Sequence, residues 1–423
     1  MTHIFNHLTL CLAAAIGLGC VAAQAQETPL GADLAPLLTL AKAANPEYSS
    51  MRFEAQAATE RITPAGALAD PKFRTELRDI TKMGEQSPTL SPSDVGSTRY
   101  LLMQDIPWFG KRDLKRDIAA FEAQGSHAKA LSGWSELTSK IKTAQAQRYF
   151  LQRNTQLTQE IMDLVLRLEK VAQSRYASGL APQQDVIRAQ MEQTKLKDEQ
   201  LGLARDSHQV NARLNALLAR PATAPLAPPI SQRALPPPEQ LDATALEARV
   251  RAHNPLLFAE TARLQAAEKN RELTYKNRYP DFTLGISPIQ YQGAIKEWEL
   301  MVEINIPLQQ ASRRAQEREA EAMLSAAQSR QAAAANQLLA DLSENLSALA
   351  SARRSEQLAT TQLLPQSELT FSAALVGYEN GKVDFATLLD AQRQISQARQ
   401  SQARAQLEAQ LRLADIEKQL GED

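Results

Sequence analysis

Residues 296–307 read KEWELMVEINIP. Trp298, Leu300, Val302, Ile304 and Ile306 fall on one side of an extended chain, and Glu297, Glu299, Met301, Glu303 and Asn305 on the other. Alternation of this kind is the period of a β-strand, whose successive side chains point to opposite faces. DFTLGISP, 281–288, alternates likewise, with Phe282, Leu284 and Ile286 against Thr283, Gly285 and Ser287. Two more strands are expected early in the chain. KFRTEL, 72–77, sets Phe73, Thr75 and Leu77 against Lys72, Arg74 and Glu76. TRYLLMQDIP, 98–107, alternates less cleanly because Leu101, Leu102 and Met103 run together.

The pattern around these strands is helical. Aromatics make up only 5% of the chain, while Ala, Gln, Leu, Arg and Glu crowd it, a composition suited to long helices with narrow seams. After each Ile-Pro, helical periodicity runs over 108–175 and again over 310–376. Leu157, Ile161, Leu164, Leu168 and Val171 step by four, three, four and three, which is a coiled-coil seam. At ~1.5 Å per residue such helices reach about 100 Å, longer than any globular core. Tight turns at Gly179 and Gly381 follow, and return helices run to Leu218 and Leu420. A helix from Asp33 to Ala69 and another from Asp242 to Arg278 precede the strands, each with Asn-Pro near its first turns, where proline is tolerated.

The chain therefore repeats itself. KAANPEYSSMRFEAQAA, 42–58, resembles RAHNPLLFAETARLQAA, 251–267, so that Pro46 pairs with Pro255 and Pro71 with Pro280, each 209 apart. Ile106-Pro107 pairs with Ile306-Pro307, 200 apart, and Tyr176 and Gly179 pair with Tyr378 and Gly381, 202 apart. Several marks in one order specify a duplication, and the changing offset places length differences in loops. The expected organisation is a leader at 1–25, a first structural repeat at 26–219, a proline-rich linker at 220–240 and a second repeat at 241–423. The seven prolines in RPATAPLAPPISQRALPPPEQ make that linker stiff and extended.

Residues 8–25, LTLCLAAAIGLGCVAAQA, form an apolar run of export-signal length, and Ala23-Gln24-Ala25 fits a small-x-small cleavage site. Cleavage after Ala25 removes both cysteines, Cys11 and Cys20. A second reading makes Cys20 a lipid-modified first residue, although Gly17 stands where a lipoprotein signal favours Leu. Beyond the leader no run approaches the ~18 apolar residues of a membrane-spanning helix. A formal net charge of −1 gives no basic field for nucleic acid. No phosphate loop, dinucleotide fingerprint or nucleophile elbow is present. His127, His208 and His253 are scattered singly over helices, and the methionines are unclustered. No catalytic residue, metal site or cofactor is expected.

The strands are about as long as the ~9–11 residues that cross a bilayer obliquely, so a soluble sheet and a membrane barrel are both open on pattern alone. Four strands cannot close a membrane barrel, which starts at about eight, and open edges in lipid leave amides unsatisfied. If the strands span a membrane, the barrel is shared between chains.

Two copies of helix, β-hairpin, long helix, glycine turn and return helix behind an export signal resemble the TolC family of outer-membrane efflux proteins. The Asn-Pro openings, the strand exits QDIPWFGKRD (104–113) and EINIPLQQASRR (303–314), and the closing YENGKVDFATLLDAQR (378–393) carry the resemblance. IPWFGKR and the short chain resemble the heavy-metal-efflux branch most. The resemblance implies a mainly α fold with a small β part: long coiled-coil hairpins forming a trimeric α-barrel tunnel, topped by a shared twelve-stranded transmembrane β-barrel with four strands per chain. It implies a passive exit duct in the outer membrane of a Gram-negative bacterium, with a periplasmic tunnel and no chemistry of its own. The implied partners are two further copies of the chain, a periplasmic adaptor (membrane fusion protein), an inner-membrane pump of the proton-driven RND class and outer-membrane lipid.

Roles follow from that resemblance. Trp298, Leu300, Val302 and Ile304 are expected to face lipid, and Glu297, Glu299, Glu303, Arg74 and Glu76 the lumen. The turns carrying Tyr176, Gly179, Tyr378, Gly381 and Lys382 are expected to be hairpin tips that dock the adaptor. The family narrows its tunnel with acidic side chains just inside the tips. The counterparts by distance from the tip glycine are Asp185 and Asp390, each with an arginine three residues on, Arg188 and Arg393; Thr387 stands where a further acid is expected. Ordinary surface aspartates in i,i+3 pairs are the alternative. An adaptor has one hairpin flanked by β domains, unlike this chain; a conduit for drugs or secreted polypeptides remains open.

Overall fold

The computed structural model describes residues 30–421; the leader, Cys11 and Cys20 lie outside them. The elements run α1 (Leu34–Ala44), α2 (Pro46–Glu60), α3 (Ile62–Gly66), β1 (Lys72–Arg78), β2 (Ser97–Ile106), α4 (Lys111–Ala177) and α5 (Gln183–Leu217). The same order then returns as α6 (Ala243–His253), α7 (Pro255–Lys276), β3 (Asp281–Tyr291), β4 (Ala294–Asn305), α8 (Gln310–Leu358), α9 (Leu364–Glu379) and α10 (Phe385–Leu420).

Each expected opening helix is instead broken at its Asn-Pro. Proline has no N–H and biases the residue before it away from the helical region. Asn45 and Asn254 accordingly sit at ψ 121°, each ending one helix and capping the next, with proline as the first helical residue. The Asn45 side chain accepts from the Tyr48 N–H at 2.9 Å, and the Asn254 side chain accepts from Leu256 at 2.9 Å and Leu257 at 3.1 Å. Their amide groups donate to the last turns of the return helices: Asn45 to the Leu217 carbonyl at 2.9 Å, Asn254 to the Gln419 carbonyl at 2.8 Å. A buried side chain thus satisfies helix-end groups on both sides.

The first long helix is one element of 67 residues. The second is continuous in path but carries a π turn at Ala359–Leu363 before α9, where the Leu364 N–H reaches back five residues to the Ala359 carbonyl. Pro365 lacks the N–H that would bond Thr361, and a wider turn accommodates the missing bond.

The four strands form one antiparallel sheet in the order β1-β2-β3-β4, so β2 and β3 join the two halves. β1 and β4 are its edges. Four apolar clusters among the described residues hold the shaft: Leu37, Trp134, Ile141 and Leu214 around α1, α4 and α5; Leu246, Leu342, Leu349 and Ile416 around α6, α8 and α10; Leu168, Ala189, Phe385 and Leu388 where α4, α5, α9 and α10 meet; and Ile161, Met162, Val165 and Leu196 between α4 and α5.

Candidate functional site

Two surfaces carry the residues singled out by sequence: the faces of the sheet at one end and the paired glycine turns at the other. On the sheet, Ile304 stands opposite Phe282, Val302 opposite Leu284 and Leu300 opposite Ile286. Ile286 stands opposite Leu102, which stands opposite Phe73. One face is therefore apolar across all four strands. Trp298, Leu300, Val302 and Ile304 are 66, 78, 57 and 49% exposed, so no described part of the chain covers them.

The opposite face brings together Arg74, Glu76, Arg99, Asp105, Glu297, Glu299 and Glu303. Arg99, which sequence reading missed, is its centre. It donates to Glu299 at 2.8 Å and to the Ser287 hydroxyl at 3.0 Å, and lies 3.7 Å from Glu76. Lys72 pairs with Asp105 at 2.7 Å. Two of the expected acids, Glu76 and Glu299, are thus partnered by a cation. The ambiguous run in β2 resolves by register: Leu102 joins the apolar face, while Leu101 and Met103 are buried on the charged face against Gly285. A Cβ on Gly285 would lie 3.0 Å from Leu101 and 3.1 Å from Met301.

At the far end both turns close in the same way. Gly179 and Gly381 have φ of +70° and +71°. The Leu180 N–H donates to the Arg175 carbonyl, and the Lys382 N–H to the Gly377 carbonyl, each at 2.8 Å. This is the left-handed helix end that glycine supplies without a Cβ penalty.

The tips are not independent. Arg175 reaches from the first to the second, donating to the Glu379 carbonyl at 2.7 Å and lying 5.0 Å from the centre of the Tyr378 ring. Tyr378 is buried, and its hydroxyl donates to the buried Asp185 carboxylate at 3.3 Å. Burial and the Asp185 charge push the Tyr378 phenol up to about 12. The expectation that Tyr378 offers a docking surface is corrected: its ring is interior, while its counterpart Tyr176 is 48% exposed. The signal for Arg175 was present in the repeat, because its counterpart at the offset of 202 is Gly377, so only the first tip carries a long cation at that position.

The other acids separate. Asp185 bonds Tyr378 rather than Arg188. Asp390 is exposed and pairs with Arg393 at 3.2 Å, and Arg393 also binds Glu192 of α5 at 2.6 Å. Thr387 donates its N–H at 2.8 Å and its hydroxyl at 2.6 Å to Asp384. These bonds hold the Asp384 carboxyl below its usual range and start α10, so Thr387 serves its own helix. Among the described residues no group of acids, histidines or cysteines is arranged to hold a metal.

A sheet with one uncovered apolar face, set on helices too long for a globule, defines the protomer of a membrane-embedded channel. Residues 247–422 match the family described as outer membrane efflux protein. The cobalt-zinc-cadmium resistance protein CzcC of Cupriavidus metallidurans is 24% identical over 368 residues, covering 86% of this chain and 83% of that protein. Among solved structures, the outer-membrane channel OprN superposes with a TM-score of 0.79 at 18% identity, over 92% of this chain and 90% of that one. VceC of Vibrio cholerae gives 0.78 at 17% identity, over 92% and 96%, and CusC 0.72 at 16%, over 92% of each chain. Residues 247–422 thus carry the pattern of the outer membrane efflux proteins, and the chain as a whole has the fold of the outer-membrane channels OprN, VceC and CusC.

Proposed function

We propose that this chain is the exit duct through which a tripartite efflux system delivers heavy-metal cations to the exterior, acting as a homotrimer. The carrying observation is the sheet: its apolar face is uncovered and its two edges, β1 and β4, have no neighbour among the described residues. Lipid forbids free edges. Because the strands alternate in direction, β4 of one copy and β1 of the next are antiparallel, and three copies continue one ladder of twelve strands. The apolar face is then the lipid surface, and the face of Arg74, Glu76, Glu297, Glu299 and Glu303 is the lumen wall.

The paired tips carry the adaptor contact, through Tyr176, Leu180 and Lys382 rather than through Tyr378. The two halves act as structural repeats joined by the linker at 220–240. Asp185 and Asp390, just inside the tips, are the candidate gate. Similarity to a cobalt-zinc-cadmium resistance protein supports metal cations as cargo. Deleting the gene and scoring sensitivity to cobalt, zinc and cadmium beside a panel of drugs tests the cargo; hypersensitivity to drugs alone replaces metals with organic substrates. Native mass in detergent tests the assembly, and a well-behaved monomer overturns the shared barrel.

A further inference from the structure

The start of the described chain is fastened halfway down the shaft. Arg148 of α4 is buried, and its guanidinium donates to the Gly31 carbonyl at 2.9 Å, the Ala227 carbonyl at 2.6 Å, the Asn211 side chain at 2.8 Å and the Gln145 side chain at 2.8 Å. Gln145 donates to the same Gly31 carbonyl at 2.8 Å. The N-terminal segment and the linker also pair directly, through Ala227 N–H to Leu30 at 2.9 Å and Ile230 N–H to Ala32 at 3.3 Å. Gly31 has φ +104°, and a Cβ there would sit 3.0 Å from the Ala227 carbonyl, so the close approach needs glycine. A planar fork with several fixed donors is the group that can bridge two chain segments in this way. Burial pulls the guanidinium down to about 10, leaving it charged at neutral pH and bound only to carbonyl and amide oxygens.

We propose that this clamp fixes the N-terminal segment at mid-shaft and excludes a lipid anchor on Cys20, so that the mature chain is held in the membrane by its strands alone. The inference rests on the reading that β1–β4 cross the outer membrane. Trp108 marks the lower boundary of that crossing. It stacks on Tyr279 at 5.1 Å and on Phe282 at 5.7 Å, and meets Phe109 edge-on at 5.9 Å, a rigid aromatic cluster of the kind that lies at membrane interfaces.

α4 begins at Lys111, just below this cluster. Gln145 and Arg148 follow 34 and 37 residues later, which is about 50–55 Å along a helix rising ~1.5 Å per residue. From Cys20 to Gly31 there are 11 residues, which span at most about 40 Å when fully extended at ~3.6 Å each. A lipidated Cys20 therefore falls about 10 Å or more short of the bilayer while Arg148 holds Gly31. Cleavage after Ala25 places the new N-terminus a few residues from the clamp and carries no such conflict.

The test is the intact mass of the mature chain purified from outer membranes, together with metabolic labelling by radioactive palmitate. The expected result is an unlabelled chain lacking Cys20, and unchanged membrane assembly of Cys20→Ala. A palmitate-labelled chain beginning at Cys20 in an outer-membrane trimer overturns the inference and leaves the duct reading intact; absence of the protein from the outer membrane overturns that reading instead. A second measurement probes reach directly. Gly17→Leu, introduced to favour lipidation, should leave its labelled chains unassembled, and a flexible spacer inserted between Cys20 and Leu30 should restore them. Labelled short-tether chains that assemble as wild type, with Arg148→Met still lowering their stability, would show that clamp and lipid coexist.

Discussion

The Tyr378 hydroxyl donates to the Asp185 carboxylate across the two hairpin tips at 3.3 Å, with both side chains buried. One chain's two turns are thereby fastened to each other before any neighbour is considered. Tyr378→Phe removes the donor and leaves a buried carboxylate short of a partner, an effect of about 1–3 kcal/mol. Thermal unfolding should register that loss, and the tips should open more readily, raising resting conductance in planar bilayers. Unchanged melting and conductance would assign the tip packing to Phe385 and Arg175 alone.

The same pair sets an alkaline limit. The folded Tyr378 phenol titrates at about 12, above the ~10 of an unfolded tyrosine. The folded state thus retains a proton that the unfolded state releases, and this contribution is full below pH ~10 and is lost as pH rises towards 12. Tyrosinate absorbance should show a late-ionising component that is reduced by one residue in Tyr378→Phe. A single titration common to all the tyrosines would contradict the burial described.

The two tip glycines differ in a way that separates backbone from packing. A Cβ on Gly179 would meet nothing within 4 Å, whereas one on Gly381 would lie 3.5 Å from Arg175. Gly179→Ala should therefore cost only the left-handed backbone strain, about 1–2 kcal/mol, while Gly381→Val adds branched carbons beside the guanidinium of the arginine that joins the tips. Efflux should fall in both variants and further in the second, with the trimer still present on native gels. Wild-type resistance in both would remove the tips from the adaptor contact.

Much of the architecture could be read from periodicity because long elements repeat their pattern many times. The alternation at 296–307 placed β4, the seam from Leu157 to Val171 placed α4, and the duplicated Tyr-x-x-Gly placed the turns. What escaped was pairing between distant residues. Arg175 with Glu379, Arg99 with Glu299, and Arg393 with Glu192 join positions about 200 apart, and no local pattern marks such partners. The break at Asn45 and Asn254 escaped for another reason: proline at a first helical turn fits both a helix that begins there and one that starts afresh. Only the asparagine amides, bonded to Leu217 and Gln419, decide between them.

On the sheet, Val302 and Glu303 are neighbours on opposite faces. An arginine on the lipid side of a barrel costs about 2–4 kcal/mol near the bilayer midplane. Val302→Arg should accordingly reduce the yield of heat-stable trimer, and Glu303→Arg should leave yield unchanged while shifting ion selectivity of the reconstituted channel towards anions. Equal tolerance of both would reverse or abolish the assigned faces.

The gate reading turns on Arg393, which holds Glu192 at 2.6 Å and Asp390 at 3.2 Å. Glu192 is buried and Asp390 is exposed, so the two acids do different things. Asp390→Ala removes an exposed i,i+3 pair of about 0.3–0.5 kcal/mol and should leave melting unchanged. Any functional effect of that variant therefore reports on the channel and not on folding. Three carboxylates brought towards a threefold axis repel one another unless cations lie between them. The wild type should be blocked by polyvalent cations from the periplasmic side, and Asp390→Ala should conduct more at rest and be blocked less. Glu192→Ala is the control that should lower stability by freeing Arg393 from α5 without removing the exposed carboxylate. Unchanged conductance and block in the Asp185→Ala, Asp390→Ala double variant would confine Asp390 to the surface pair that the structure contains and place closure elsewhere along the shaft.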